Sequence, residues 1–128
     1  MTDRPSGPVV AVVDDDQSIL RSLASLLDSA DYSVRPFTSA TALLYSGCLL
    51  EINCLISDID MPGMDGFELL RLVHAVRPGL PTILITGYPD TLKRLPLLDG
   101  SNPRFFTKPF QGQELLAAVG EALRNSTA

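Results

Sequence analysis

The sequence predicts an α/β fold, a three-layer sandwich whose central five-stranded parallel sheet is covered by helices on both faces. Short apolar stretches with strand character alternate with segments whose apolar residues recur at helical spacing. The first stretch, Val9–Val13, is apolar on both faces, as in a central parallel strand. Polar residues end four stretches, and open parallel sheets bind ligands at that edge. We expect one domain over residues 1–128, with flexible ends at 1–7 and 125–128.

The elements of the first half follow from the same pattern. Apolar residues spaced three and four positions apart over 19–30 predict the first helix, with Asp16 as its N-cap. Residues 33–37 predict a short second strand, and residues 39–46 predict a second helix. Residues 54–57 predict the third strand.

The third helix has a distinct start signal. Asp65, followed three residues later by Glu68, is typical of a capping box, and the helix is expected to end before Pro78. Its residues predicted to face inward are Phe67, Leu70, Val73 and Val76. Residues 82–85 predict the fourth strand.

The segment after the fourth strand favours only a short helix. Asp90 can cap a helix from Thr91, but Pro96 ends it within about a turn and a half, because proline has no amide hydrogen to donate. Residues 105–107 predict the fifth strand. The apolar face of the last helix consists of Leu115, Leu116, Val119 and Leu123.

The strict alternation of five strands and five helices predicts a doubly wound sheet with right-handed crossovers. A flavodoxin-like (βα)5 arrangement, with strand order 2-1-3-4-5, has its switch point between strands 1 and 3. Asp14 and Asp15 end the first of these strands, and Asp58 ends the other. This order therefore predicts that the three carboxylates converge.

Composition excludes several classes of function. The net charge of −5 argues against a nucleic-acid-binding face. Cys48 and Cys54 are the only cysteines and lack zinc-site spacing, so we expect free thiols in a reducing compartment. The N-terminus has no signal-peptide pattern, and no apolar run is long enough to span a membrane. We expect a cytoplasmic protein that contacts no membrane.

The converging acids indicate a metal site. Two unit charges about 4 Å apart repel by about 4 kcal/mol at an effective dielectric constant of about 20, so the crevice needs a cation or a proton. Mg²⁺ prefers oxygen ligands, and Mn²⁺ could substitute for it. Asp15 and Asp58 are expected to coordinate directly, Asp14 partly through water, and Asp60 through its backbone carbonyl.

The remaining polar residues suit phosphoryl transfer. A carboxylate can attack phosphorus, and Asp58 is the best candidate for this nucleophile. Lys108 supplies a compact positive charge for a phosphoryl oxygen, and Thr86 supplies a hydroxyl donor. Little other covalent chemistry is needed, because phosphoryl transfer depends mainly on positioning and charge stabilisation.

These segments resemble, in order and separation, the receiver domain of bacterial two-component response regulators. The matching segments are residues 13–15, 58–66, 85–87 and 108–110. The resemblance implies that Asp58 accepts a phosphoryl group from a histidine kinase or phosphotransfer protein. It also implies a magnesium site at Asp14, Asp15 and Asp58, and a cis peptide bond before Pro109.

The resemblance also assigns a conformational switch. Thr86 is expected to move toward the phosphoryl group, and the side chain of Phe105 is expected to change rotamer with it. Phe105 lacks the hydroxyl of the tyrosine often found at this position. Asp60 and Tyr88 occupy the positions that influence how quickly the acyl phosphate is hydrolysed in the family.

The resemblance leaves the output partner open. Pro89 and Pro96 flank the expected fourth helix, which puts family-typical docking or dimerisation on the neighbouring face in doubt. The partner is either a downstream protein target or an output domain that follows Ala128. The sequence does not define the oligomeric state.

Two other functions fit parts of this pattern. A haloacid-dehalogenase-like phosphohydrolase is imitated by the pair Asp58 and Asp60, but its nucleophile follows the first core strand, and Asp14 and Asp15 would then have no role. A degenerate receiver, used only for protein contacts, would have lost part of the acceptor set, which is intact here. Phosphohydrolase activity predicts turnover of a small phosphorylated molecule, and degeneracy predicts no labelling by acetyl phosphate.

Overall fold

A computed structural model describes residues 7–88, 90 and 104–125 of the chain. This part contains five strands and four helices, and strands and helices alternate as the sequence predicts as far as β4. They are β1 (Val9–Val13), α1 (Gln17–Ser29), β2 (Ser33–Phe37), α2 (Ala40–Ser46), β3 (Cys54–Asp58), α3 (Gly66–Val76), β4 (Thr82–Thr86), β5 (Arg104–Thr107) and α4 (Gly112–Asn125). The helix expected from Thr91 falls outside the described residues, as do 1–6 and 126–128. Asn125, expected in the flexible end, is the last residue of α4.

The five strands form one parallel sheet in the order β2-β1-β3-β4-β5, which confirms the flavodoxin-like prediction. The register aligns the carboxyl ends of neighbouring strands. Val13 lies beside Ser57, Asp58 beside Ile85, and Thr86 beside Thr107. The residues that end β1, β3, β4 and β5 therefore share one edge of the sheet.

Two strands extend one residue further toward that edge than the sequence pattern predicts. β3 includes Asp58 and β4 includes Thr86. The ladder continues past both, because the Ile59 amide donates to the Ile85 carbonyl at 2.8 Å and the Lys108 amide donates to the Thr86 carbonyl at 2.8 Å. The polar residues are thus held by sheet hydrogen bonds rather than by loops.

Each of the first three helices has a side-chain cap at its N-terminus. The carboxylate of Asp16 accepts hydrogen bonds from the amides of Ser18 and Ile19, which confirms it as the N-cap of α1. Ser39 caps α2, so that helix begins one residue later than expected. The predicted capping box of α3 is present in both directions between Asp65 and Glu68.

The apolar core lies on both faces of the sheet. One cluster joins the sheet to α1 and α4, and the other joins it to α2 and α3. Cys48 and Cys54 are free, as predicted, and both are buried. Burial raises the pKa of the Cys54 thiol to about 12. Within the described residues, no helix has the length and hydrophobicity needed to cross a bilayer.

The inward assignment of Val76 is wrong, because its side chain is 58% exposed. Leu69, which was not assigned to the inward face, is buried. Val73, one turn earlier, is still buried in the cluster that includes sheet residues. Arg77, which follows α3, donates to the backbone carbonyls of Leu49 and Ile52 in the α2–β3 loop and fixes the position of the helix end.

Candidate functional site

A crevice of about 400 Å³ lies at the carboxyl edge of the sheet. It opens between the loops that follow β1, β3, β4 and β5, where the register places the predicted polar residues. Its lining consists of Asp14, Asp15, Asp16, Ile19, Asp58, Asp60, Gly87, Tyr88 and Lys108.

The three predicted metal ligands converge in this crevice. Asp14, Asp15 and Asp58 each place a carboxylate oxygen so that all three oxygens lie within 4.8 Å of one another. Asp14 and Asp58 are buried, whereas Asp15 is exposed at the mouth. The Asp16 amide donates to Asp14 Oδ1 at 2.9 Å and orients that side chain. The switch-point argument is therefore confirmed.

The surroundings of Asp58 disfavour its ionised form. Burial and the charge of Asp14 raise its pKa to about 6, while the nearby Lys108 ammonium acts in the opposite direction. Its Oδ1 is buried and accepts no hydrogen bond from the residues that the structure describes. A buried oxygen without a donor is costly, and a cation can remove that cost.

The donor set fits a hard divalent cation. It offers carboxylate oxygens, with no cysteine or histidine in the crevice, and such ligands suit Mg²⁺ or Mn²⁺ better than softer metals. The same burial that raises the pKa of Asp58 also raises the pKa of Asp14, so the acids gain from positive charge nearby. The acidic cluster could therefore bind a metal ion.

Lys108 supplies the fixed cation of the site. Its Nζ lies 3.4 Å from Asp14 Oδ2 and 3.5 Å from Asp58 Oδ1. Burial alone would lower the pKa of Lys108, but the carboxylates of Asp58 and Asp14 outweigh it and raise this pKa. The ammonium therefore stays charged beside Asp58. The peptide bond between Lys108 and Pro109 is cis, as the resemblance implies.

Thr86 lies in the site, but its hydroxyl is already engaged. Its side chain is fully buried and donates a hydrogen bond to Asp60 Oδ2. Thr86 Oγ1 in turn accepts a hydrogen bond from the Tyr88 amide at 3.0 Å. The Asp60–Thr86 contact was not foreseen from the sequence. The register offers a signal for it, since Asp58 pairs with Ile85 and both residues therefore lie just beyond that pair.

The remaining predicted residues surround this centre. Phe105 is half-buried and packs against an apolar cluster at the start of α3 that includes Phe67 and Leu70. Tyr88 is 65% exposed at the rim of the crevice. The backbone carbonyl of Asp60 stays a predicted ligand.

The loop after β3 is held by close backbone packing at Gly66. A Cβ atom there would lie 2.6 Å from the Asp58 carbonyl oxygen and 2.8 Å from Ile59 Cα. The Gly66 amide donates to the Ile59 carbonyl at 2.9 Å. Only glycine lets α3 begin directly against the strand end that carries Asp58.

Comparison with known proteins identifies the family. The profile of the response regulator receiver domain matches residues 10–120. The chain belongs to this family. Receiver domains are signalling domains of two-component systems rather than a class of catalytic enzymes, and the acidic pocket described above fits a phosphoacceptor site. The comparisons lend no support to the phosphohydrolase or to the degenerate receiver.

Curated relatives match over nearly the whole chain. The response regulator protein TmoT of Ectopseudomonas mendocina is 37% identical over 97% of the chain and 56% of the relative. The transcriptional regulatory protein FixJ of Bradyrhizobium diazoefficiens is 35% identical over 91% of the chain and 57% of the relative. The chain therefore spans little more than half the length of these relatives.

Solved receiver structures share the fold. The signal receiver domain of an HD domain-containing protein from Pseudomonas fluorescens is 34% identical, with a TM-score of 0.84 over 94% of this chain and 97% of that one. The BeF3-activated DrrB receiver domain is 28% identical, with a TM-score of 0.82 over 92% of this chain and 98% of that one.

Proposed function

We propose that Asp58 accepts a phosphoryl group from a phosphohistidine of a histidine kinase or phosphotransfer protein. One observation carries this proposal. Asp58 places a buried oxygen without a hydrogen-bond donor between two further carboxylates and the Lys108 ammonium. Such an oxygen is poised to meet a cation or an incoming electrophile rather than to stabilise the fold.

A divalent cation completes this site. Asp14, Asp15, Asp58 and the backbone carbonyl of Asp60 would hold Mg²⁺, and Mn²⁺ could replace it. When bound, the metal supplies positive charge that offsets the repulsion between the Asp58 carboxylate and the phosphoryl oxygens.

Side chains of the protein carry out the other parts of the reaction. The ionised Asp58 carboxylate attacks phosphorus, so an O–P bond forms as the P–N bond to the donor imidazole breaks, and the imidazole leaves. Lys108 Nζ, already within 3.5 Å of Asp58, takes a phosphoryl oxygen as its partner. Thr86 then donates its hydroxyl to another phosphoryl oxygen, and Phe105 repacks behind it.

Two residues are placed to tune the lifetime of the acyl phosphate. Tyr88 is at the rim, where its ring can shield the phosphoryl group from water. Asp60 accepts a hydrogen bond from Thr86 and lines the same crevice, where it can position a water molecule. The balance between shielding and hydrolysis sets how long the signal lasts.

The output belongs to a downstream protein or to an output domain joined to this one. The names of the relatives, which include transcriptional regulatory proteins, support an output in control of transcription. The net charge of −5 argues that DNA is contacted elsewhere than on this domain.

The proposal is tested by incubating the protein with acetyl phosphate and Mg²⁺ and measuring incorporated phosphate by intact mass. Wild type should gain a single phosphoryl group, and Asp58→Asn should gain none. Asp15→Asn should label more slowly and recover with more Mg²⁺, because it retains the nucleophile and loses a metal ligand. Equal labelling of wild type and Asp58→Asn would refute the assignment.

A further inference from the structure

A hydrogen bond joins Thr86 and Asp60, two residues that have different roles in the proposed function of the site. Thr86 is fully buried and has a single hydroxyl proton. Two acceptors lie within its reach, the Asp60 carboxylate and the Tyr88 carbonyl at 3.2 Å. A carboxylate is the stronger acceptor, so the proton belongs mainly to Asp60.

A phosphoryl group on Asp58 needs the same proton. The hydroxyl cannot donate to Asp60 and to a phosphoryl oxygen at once, since it carries one hydrogen. The Tyr88 amide, 3.0 Å from Thr86 Oγ1, fixes the other side of the hydroxyl and limits how it can turn. Engagement of the phosphoryl group therefore requires the bond to Asp60 to break.

We propose that Asp60 is a positioning residue that latches Thr86 in the unphosphorylated form and competes with the phosphoryl group for its hydroxyl. This inference rests on the proposed function of Asp58. The Asp60 carboxylate stabilises the unphosphorylated arrangement of Thr86. It therefore lowers the free energy gained when Thr86 binds a phosphoryl group on Asp58, and in this way restrains the switch. The side chain acts through Thr86 and need not touch the reacting atoms.

The latch differs from the role that the resemblance suggests for Asp60. A residue that only orients water changes the rate at which the acyl phosphate is lost and leaves the affinity for a stable phosphoryl mimic unchanged. A residue that only adds negative charge weakens binding of an anionic mimic whether or not residue 86 carries a hydroxyl. The latch alone makes the effect of Asp60 depend on Thr86.

Beryllium fluoride with Mg²⁺ separates these roles, since a receiver domain is known in a BeF3-activated form. Its affinity would be measured by NMR, following the Gly87 and Tyr88 amides, for wild type, Asp60→Ala, Thr86→Val and the double variant. Asp60→Asn keeps an uncharged acceptor oxygen and serves if the alanine variant folds poorly. Asp16→Ser removes a charge from the same crevice and retains a capping hydroxyl.

Asp60→Ala should tighten beryllium fluoride binding about tenfold, equivalent to about 1.4 kcal/mol, because a charge-assisted hydrogen bond no longer opposes it. In the Thr86→Val background the gain should fall below about twofold, since no hydroxyl remains to release. Asp60→Asn should fall between wild type and Asp60→Ala, and Asp16→Ser should show the gain due to charge alone.

Four results would overturn the latch. If Asp60→Ala tightened beryllium fluoride binding equally with Thr86 and with Val at position 86, Asp60 would act only by charge repulsion. An equal gain in affinity from Asp16→Ser and from Asp60→Ala would lead to the same conclusion. No gain from Asp60→Ala, with normal binding by wild type, would remove the competition while leaving the proposed function of Asp58 intact. Absence of binding by wild type would defeat that proposed function and the latch with it.

Discussion

At the scale of single residues, the site is governed by the cost of keeping Asp58 ionised. Burial and the neighbouring Asp14 raise the pKa of Asp58 to about 6, whereas an unfolded aspartate titrates at about 3.9. Between these values the folded chain binds more protons than the unfolded chain, so its stability falls as pH rises through the window. The ionised Asp58 carboxylate, the proposed phosphoryl acceptor, therefore destabilises the metal-free protein at neutral pH.

The Asp58→Asn variant should be more stable than wild type in metal-free buffer. At pH 7.5 we expect a gain of about 3 kcal/mol in the free energy of unfolding, because the amide carries no buried charge. The gain should shrink as pH falls through about 6 and vanish below about 4, where Asp58 is protonated in both states. Urea unfolding with EDTA at several pH values measures it.

The exposed Asp28→Asn serves as the control for this comparison, since it removes one negative charge outside the crevice. Its unfolding free energy should stay within about 0.5 kcal/mol of wild type at each pH. A stability gain for Asp58→Asn that did not change with pH would show that the buried charge is not its cause.

At the scale of elements, the junction of β3 and α3 joins Asp58, the proposed nucleophile, to the start of a helix. The capping box at Asp65 fixes where α3 begins, and Gly66 lets that first residue lie against the backbone of Asp58. The start of α3 and the backbone of Asp58 are therefore packed directly against each other. The geometry of this junction is set by backbone contacts, which side-chain repacking cannot replace.

Gly66→Ala should lower the free energy of unfolding by about 1–3 kcal/mol, because the added methyl must displace backbone atoms of Asp58 and Ile59. The displacement should also weaken Mg²⁺ binding, since it moves a ligand. Gly79→Ala is the matched control, because a Cβ at Gly79 meets nothing within 4 Å. Chemical denaturation and Mg²⁺ titration of both variants test this, and equal losses in the two would count against it.

At the scale of the whole molecule, the sequence predicts more about topology than about side-chain contacts. The order of strands and the meeting of Asp14, Asp15 and Asp58 follow from alternation and handedness, which depend on the pattern of the entire chain. The pairing of Thr86 with Asp60 depends on rotamers beyond the sheet edge, which no periodicity encodes.

The error at Val76 has a similar physical origin. Helical spacing predicts which residues share a face, but it does not predict where that face stops being covered. Arg77 donates to carbonyls of the α2–β3 loop and ties the end of α3 to that loop, and Val76, in the last turn, is left exposed to solvent. Contacts between elements distant in sequence thus decide the limits that local patterns leave open.

Binding of Mg²⁺ should stabilise the entire fold, because its ligands join β1 and β3 and are assembled only in the folded state. A ligand present at about one hundred times its Kd adds about 2.7 kcal/mol to the free energy of unfolding. The Tm of wild type should therefore rise with Mg²⁺ concentration.

Asp15→Asn should lose most of this rise but keep nearly the metal-free Tm of wild type. Asp15 is exposed, so its carboxylate contributes to binding the cation and little to the stability of the core. Asp28→Asn should retain the full rise, and a rise in Asp15→Asn equal to that of wild type would mean that the cation binds somewhere other than the acidic crevice.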